Sequence, residues 1–242
     1  MVPPDVRPRF SIILPVHNQA DQIDRIAGIV RSAVQRVSGG YEMIFVSNGS
    51  RDRTLELAQA AARGSGDILA IEAPRGWGSA VLAGMRAAHG EMICYTNSAR
   101  VNAADLALAL RYSAVNEDVV VKASRKLRER PARRLGSVIY NLECRSLFGL
   151  AVWDINGTPK VFHRKILSDL RLTERGDLID LELLVNAKLS GVPVVEMPVY
   201  DTRRLSGKAT TNLRAAVRMY SRPLAMRSRL LRRPSAKRVP GV

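Results

Sequence analysis

The sequence has few cysteines and no long apolar run, and each shortage excludes a class of protein. Two cysteines among 242 residues, both in apolar stretches, are too few for a disulfide framework and favour a reducing, cytoplasmic compartment. No apolar run approaches the roughly 18 residues of a membrane-spanning helix. The first residues also lack the apolar segment of a signal peptide. We therefore expect a soluble protein, or one bound peripherally at the inner face of the membrane.

The sequence motifs of several common enzyme classes are also missing. There is no GxxxxGK[ST] phosphate loop, no GxGxxG after the first predicted strand, and no HExxH, CxxC or GxSxG. These absences disfavour a dinucleotide-binding Rossmann domain and the enzymes that the other motifs mark. Of the three histidines, only His17 lies at the end of a predicted strand, where a ligand could meet it.

Acidic residues are scarce relative to basic ones, and the net charge of +16 is unevenly distributed. Residues 202–242 contain twelve Lys or Arg and no Asp or Glu, and residues 122–134 contain seven basic residues and one acidic residue. Such patches imply an anionic partner: a nucleic acid, a membrane surface or a phosphate-bearing ligand. Aromatic residues make up only 5% of the chain, and no recognition motif is present, so nucleic acid is the least favoured of the three.

The composition, 46% hydrophobic and 25% charged, is that of a globular protein. Short β-rich runs alternate with helical patterns, and the predicted strands end at Val16, Ser47, Glu72, Tyr95, Ala123 and Val199, with residues 152–160 expected to form a loop. This alternation predicts an α/β fold with a mostly parallel sheet and helices on both faces. Ligands of such sheets bind at the carboxyl ends of the strands, so the loops after the first four strands should carry the site.

Seven segments form an ordered set of motifs. They are residues 11–19 (SIILPVHNQ), 45–54 (FVSNGSRDRT), 75–80 (RGWGSA), 90–99 (GEMICYTNSA), 154–162 (DINGTPKVF), 180–184 (DLELL) and 195–199 (VEMPV). In this order they resemble the motifs of inverting family 2 glycosyltransferases, in particular the polyprenyl- and dolichyl-phosphate sugar transferases. The resemblance implies a GT-A fold that binds a nucleotide sugar. It also implies transfer of the sugar, with inversion, to an acceptor that is lipid-linked or at a membrane surface.

The resemblance further implies a donor site for a UDP- or GDP-type nucleotide sugar, together with catalytic acids. The predicted donor residues are Pro15, Val16, His17, Asn18, Ser47, Asn48, Gly49, Arg75, Gly76, Asn97 and Ser98. The predicted catalytic acids are Asp154, Asp180 and Glu182. The last two are only two residues apart on a predicted helix, so they should point in different directions.

The sequence predicts two units, a GT-A domain over residues 1–201 and a basic tail over residues 202–242. Residues 202–208 (TRRLSGK) resemble the family's loop that closes on phosphates, and they make Arg203, Arg204 and Lys208 predicted phosphate ligands. Residues 212–233 predict a basic amphipathic helix, with a kink at Pro223, that could lie on an anionic bilayer. Packing of 212–220 on the domain, with the rest solvated, is the equal alternative.

The sequence departs from the family at its acidic positions. The paired acids that hold the base and ribose stand here as Ser47 and Asn48, and the DxD that holds Mg²⁺ or Mn²⁺ stands as residues 97–99 (NSA). Gln19 replaces a glutamate. Hard cations prefer carboxylate oxygens, so these replacements argue against the family's usual metal site at Asn97.

Two interpretations follow from the missing acids. In the first, the chain is a catalytically silent GT-A protein that keeps its affinity for nucleotides or membranes. In the second, it is a transferase that works without a metal, and Arg51, Arg75 or Arg100 stabilises the charge of the leaving diphosphate.

Overall fold

The computed structural model describes residues 8–125, 131–200 and 220–228, with side chains from residue 135 onward in the second range. The predicted phosphate ligands Arg203, Arg204 and Lys208 therefore lie outside the described residues, as does the predicted boundary between domain and tail.

Seven strands and seven α-helices make up the described part of residues 8–200. The strands are β1 (Phe10–Val16), β2 (Tyr41–Asn48), β3 (Ile68–Ala73), β4 (Met92–Tyr95), β5 (Val120–Arg125), β6 (Lys160–His163) and β7 (Val194–Val199). The helices are α1 (Ile23–Val34), α2 (Thr54–Arg63), α3 (Trp77–Ala87), α4 (Ala103–Val115), α5 (Pro131–Phe148), α6 (Leu167–Leu170) and α7 (Ile179–Leu189).

The strands form one sheet in the order β3-β2-β1-β4-β6-β5-β7. All neighbouring pairs are parallel except those of β6, which runs antiparallel to both β4 and β5. The predicted α/β fold with a mostly parallel sheet is confirmed. One strand was missed, because residues 152–160 were expected to be loop only, whereas β6 begins at Lys160.

Two apolar clusters cover the two faces of the sheet. Alternation along β1 sends Ile13 into one cluster and its neighbours Ile12 and Leu14 into the other. All seven residues of β1 are buried because helices pack on both of its faces. This arrangement fixes the carboxyl ends of β1, β2 and β4 side by side at one edge, where the predicted donor loops begin.

Residues 220–228 form a helical segment that packs on the domain. The Tyr220 hydroxyl donates to the Gly136 carbonyl at 3.0 Å, and the Tyr220 ring meets the Tyr140 ring edge-on. Pro223 and Met226 are buried, and the segment is helical on both sides of Pro223, where a kink was predicted. Among the residues that the structure describes, no helix is both long and apolar enough to cross a bilayer.

Candidate active site

The turns after β1 and β2 are held together by hydrogen bonds. Nδ1 of His17 lies 2.8 Å from the Asn48 carbonyl oxygen, and Oδ1 of Asn18 accepts from the Arg51 amide at 2.8 Å. Asn18 adopts a left-handed φ of 49°, a conformation that asparagine tolerates better than most residues. His17 and Asn18 are exposed, so this pair of turns presents polar groups to a ligand.

The remaining predicted donor residues of β1 and β2 lie within the sheet rather than on the exposed turns. Pro15 and Val16 are buried in β1, where they pair with Val46 and Ser47 of β2. Ser47 is also buried. These buried residues hold the polar turns that follow them and offer no exposed side chain to a ligand.

The loop after β3 is tied to the same edge. Oδ1 of Asn48 accepts a hydrogen bond from the Gly76 backbone amide at 2.7 Å. The Asn48 side chain, which stands where the family has an acid, therefore positions this loop. Gly76 has a φ of 142°, and a Cβ there would lie 2.5 Å from the Arg175 carbonyl oxygen. Gly49 has a φ of 61° and packs against the Arg75 side chain. Predicted donor residues from three loops therefore lie next to one another.

The first turn of α3 is closed by a second loop, from Thr173 to Gly176. The Gly78 amide donates to the Gly176 carbonyl at 3.1 Å, and the Ser79 amide to the Arg175 carbonyl at 2.8 Å. These helical amides, which have no partner within the helix, are thus satisfied by the chain itself. The loop joins the donor half of the site to the half contributed by α7.

Residues 97–99 do not fit a divalent metal. Oδ1 of Asn97 accepts from the Ala99 amide at 3.0 Å and caps a short 3₁₀ turn. The buried Ser98 hydroxyl lies 2.6 Å from the Pro15 carbonyl and 2.8 Å from Oε1 of Gln19. The described part of the chain contains no group of three or more His, Cys, Asp or Glu that could hold a metal ion. No carboxylate supplies the ligands that Mg²⁺ or Mn²⁺ needs here.

Three arginines lie on loops at this edge of the sheet. Arg51 and Arg75 are exposed, and Arg100 is half-buried at the end of the 3₁₀ turn after β4. Arg51 is joined through its backbone to Asn18, and Arg75 packs on Gly49. Positive charge is therefore present on loops after β2, β3 and β4.

Asp154 forms a buried ion pair with Arg125 at the end of β5. Nε and Nη2 of Arg125 each lie 2.7 Å from a different carboxylate oxygen, and the Arg125 amide donates to Oδ2 at 2.8 Å. Burial opposes the charge on Arg125, but the hydrogen bonds and attraction from Asp154 outweigh it and raise the guanidinium pKa. Both oxygens of Asp154 are thus engaged by the same residue.

Asp180 connects three elements. It accepts from Nε1 of Trp77 at 3.0 Å and from the Tyr95 hydroxyl at 2.9 Å, and it pairs with Nζ of Lys160. Lys160 is fully buried and also donates to two carbonyls of the 155–157 turn. Burial lowers the pKa of Lys160, against the attraction of Asp180.

Glu182 fixes the loop that covers α3. Its carboxylate accepts from the Thr173 amide at 2.8 Å, the Thr173 hydroxyl at 2.7 Å and the Glu174 amide at 2.8 Å. Asp180 and Glu182 therefore point to different partners, as the helical spacing predicts. All six oxygens of Asp154, Asp180 and Glu182 accept at least one hydrogen bond from the protein.

A third buried pair was not predicted. Nζ of Lys122 donates to Oε1 of Glu196 at 2.8 Å and to the Trp153 carbonyl at 2.6 Å. Burial, helped by repulsion from Lys160, lowers the pKa of Lys122 to about 8. Arg125, Lys160 and Lys122 were all missed as pairing partners. The sequence offered one signal for the two lysines: Lys122 lies within a predicted strand, and Lys160 lies within the motif of residues 154–162.

The chain is similar to known proteins over most of its length. The model of glycosyl transferase family 2 matches residues 11–171. An undecaprenyl-phosphate 4-deoxy-4-formamido-L-arabinose transferase of Pseudomonas paraeruginosa is 27% identical over 176 residues, which cover 71% of this chain and 52% of that protein. An uncharacterized glycosyltransferase of Mycobacterium bovis is 29% identical over 208 residues, or 82% of this chain and 88% of that protein. The chain thus spans about half the length of the first of these relatives.

Solved structures share the fold. Glucosyl-3-phosphoglycerate synthase from Mycobacterium tuberculosis, in complex with Mn²⁺, UDP and glucosyl-3-phosphoglycerate, has a TM-score of 0.67 at 18% identity. The match covers 91% of this chain and 80% of that one. At this identity the likeness shows the GT-A fold alone. Because the family model covers well over half of the sequence, the chain belongs to glycosyl transferase family 2.

Proposed function

We propose that this protein transfers a sugar from a nucleotide sugar to a lipid-linked phosphate at a membrane surface, with inversion and without a divalent metal. The observation that carries the proposal is the full engagement of the three candidate acids in a family 2 fold. A hydroxyl acceptor needs a base to remove its proton. A phosphate acceptor is already an anion at neutral pH, so it needs none.

The donor is proposed to bind across the clamped loops after β1, β2 and β4. The amides of Asn48 and Asn97 and the ring of His17 offer donors and acceptors for a base and a ribose. The solved relative was crystallised with UDP, which supports a UDP-type donor, and a GDP-type donor is the alternative.

Arginine takes the place of the metal in this proposal. As the acceptor phosphate oxygen bonds to the anomeric carbon, the bond from that carbon to the diphosphate breaks and leaves negative charge on the departing nucleotide. Arg51, Arg75 and Arg100 lie on the loops where that charge would develop. Fixed cations stabilise such charge, and guanidinium groups suit phosphate geometry.

The acceptor is proposed to be a polyprenyl-type phosphate on the cytoplasmic face of a membrane. The support is the similarity to the undecaprenyl-phosphate sugar transferase of Pseudomonas paraeruginosa, together with the basic segments of this chain. Arg203, Arg204 and Lys208 are proposed to bind acceptor or donor phosphates. The three acids then act by positioning Arg125, Lys160 and the loop from Thr173.

A second candidate is a catalytically silent GT-A protein that binds a nucleotide or a membrane. It is favoured by the replacement of the family's acids with Ser47, Asn48 and Asn97. The two candidates differ in turnover, since both allow donor binding.

Thermal shift with a panel of UDP- and GDP-sugars, in EDTA and in Mg²⁺ or Mn²⁺, tests the proposal. We expect one donor to raise the melting temperature equally in EDTA and in metal, and mass spectrometry to detect a glycosylated product with undecaprenyl phosphate. A strict metal requirement would refute the metal-free site. Donor binding without any product, with acceptor present, would favour the silent protein.

A further inference from the structure

Helix α5 turns a stripe of large apolar side chains towards solvent. Leu135, Val138, Ile139 and Leu142 are 63%, 39%, 48% and 49% exposed. Their spacing of three, four and seven residues puts them on one face of the helix. We call these four side chains the α5 stripe. Such a stripe normally packs against the core of a domain, so its exposure needs an explanation.

The opposite face of α5 already makes the contacts with the domain. Tyr140 and Cys144 are buried, and Oδ1 of Asn141 accepts from the Ile155 amide at 2.9 Å, next to the turn that holds Asp154. The α5 stripe is therefore additional to the surface that folding buries. It lies on a helix whose inner face contacts the turn that holds the predicted catalytic acid Asp154.

A second exposed apolar stripe, on α4, differs in the charge around it. It contains Leu108, Tyr112 and Val115, which are 51%, 42% and 79% exposed, and acidic Glu117 and Asp118 follow it. The residues before α5 and in its first turn are strongly basic instead: Lys126, Arg128, Arg130, Arg133 and Arg134, with one acid, Glu129. Of these two exposed stripes, only the α5 stripe combines apolar side chains with neighbouring positive charge in the sequence.

We propose that the α5 stripe docks on the surface of an anionic phospholipid bilayer. A helix with an apolar face and neighbouring Lys and Arg lies in the bilayer interface, where apolar side chains enter the acyl region and basic ones contact headgroups. The inference rests on the proposed function in one respect: a lipid-linked acceptor requires the site to meet a membrane.

Two neighbouring side chains extend the surface. Trp153, on the loop after α5, is 40% exposed, and the Arg145 guanidinium lies 4.1 Å from the centre of its ring. Tryptophan and arginine both combine an apolar body with a polar end, which suits a membrane interface. Leu224 is 53% exposed on the 220–228 segment, one turn beyond Tyr220, which contacts α5.

Sedimentation of the protein with phosphatidylcholine vesicles, with and without phosphatidylglycerol, tests this docking surface. The test variant Leu135→Glu/Leu142→Glu carries two acids one heptad apart on the α5 stripe. Its matched control, Leu108→Glu/Val115→Glu, changes the same charge at the same spacing on α4. We expect the wild type and the control to bind the anionic vesicles. The α5 variant should bind them more weakly by about tenfold or by a larger factor.

Several outcomes would overturn the proposal. Equal loss in both variants would mean that binding depends on overall charge, and no binding by the wild type would remove the surface altogether. If the α5 variant changes a dimer to a monomer in light scattering while vesicle binding is kept, a second copy occupies the stripe. If it lowers the melting temperature with vesicle binding unchanged, the chain itself covers the stripe.

Donor binding separates this proposal from the proposed function. The nucleotide-sugar thermal shift is measured in solution, without vesicles, and the α5 variant should retain the full shift. Vesicle binding without any donor response would leave the docking surface standing and refute the transferase. A donor response without vesicle binding would refute the docking surface and leave the transferase proposal standing.

Discussion

Asp180 illustrates, at the scale of a single residue, how an acid in a family motif can serve structure. Its carboxylate satisfies an indole, a phenol and a buried ammonium from α3, β4 and β6. Removing one partner of a buried ion pair leaves the other charge uncompensated, which costs far more than the pair contributes to stability.

We predict that Asp180→Asn lowers the free energy of unfolding by about 3–5 kcal/mol, because Lys160 loses its counter-charge in a fully buried position. Urea denaturation measures this. The double variant Asp180→Asn/Lys160→Met should recover much of the loss, whereas Asp177→Asn, at an exposed position near the start of α7, should change stability little. Wild-type stability combined with lost transfer would instead make Asp180 the acceptor base.

The sequence identifies the acids but not their partners. Asp154 and Asp180 stand out because they occupy recognisable motifs. Their partners Arg125 and Lys160 lie 29 and 20 residues away along the chain, on strands that only the folded sheet brings to the acids. Strand interiors are usually apolar, so the sequence gives no reason to expect a basic side chain on a strand to pair with a distant carboxylate.

At the scale of elements, the junction of α3 with the 173–176 loop links the two halves of the site. The backbone of that loop approaches α3 so closely that only glycine fits at position 78. A Cβ there would lie 2.3 Å from the Glu174 carbonyl oxygen.

We predict that Gly78→Ala destabilises the protein by about 1–3 kcal/mol, since the loop must move away from α3, and that it also reduces the donor-induced thermal shift. Gly28→Ala is the control, because Gly28 is exposed within α1 and a Cβ there meets nothing within 4 Å. That variant should gain about 1 kcal/mol from helix propensity. A Gly78→Ala protein as stable as the wild type would show that the two elements are not coupled.

The prediction of elements succeeded where periodicity was strong and failed where it was short. β1 is a nearly continuous apolar run and α1 has a clear helical spacing of apolar residues, and the sequence displays both patterns openly. β6 has four residues, begins with a lysine and follows a Gly/Pro-rich loop, so nothing in its composition separates it from that loop. Its place between β4 and β5 depends on contacts with strands far away in the chain.

At the scale of the whole molecule, charge is distributed in two contrasting ways. Three buried ion pairs join β5 and β6 to the Asp154 loop, α7 and β7, while the basic excess lies in the segments around α5 and in the tail. The excess positive charge is therefore available to bind anionic partners, whereas the buried ion pairs contribute to the stability of the fold.

Stability should consequently depend on pH on the alkaline side. Burial holds the pKa of Lys122 at about 8 in the folded protein, below the ordinary 10.5, so the unfolded chain binds more protons between these values. The contribution of Lys122 to stability therefore rises as pH rises through this window. We predict that the difference in unfolding free energy between wild type and Lys122→Met changes by about 3 kcal/mol from pH 8 to 10.5.

Urea denaturation at a series of pH values measures the change, and the Lys122→Met comparison removes the titration of other groups. Lys188→Met, at a lysine exposed near the end of α7, serves as the control. A difference between Lys122→Met and wild type that stays constant with pH would contradict the prediction.

The antiparallel strand β6 also constrains the order in which the chain can fold while it is being synthesised. β1 to β4 can assemble as soon as the first 95 residues have left the ribosome, but the free edge of β4 must wait for Lys160 to His163, which follow α5. During that interval β4 presents an unpaired edge, the kind of surface through which nascent chains associate. Chains arrested before residue 160 should therefore be the ones that depend most on chaperones.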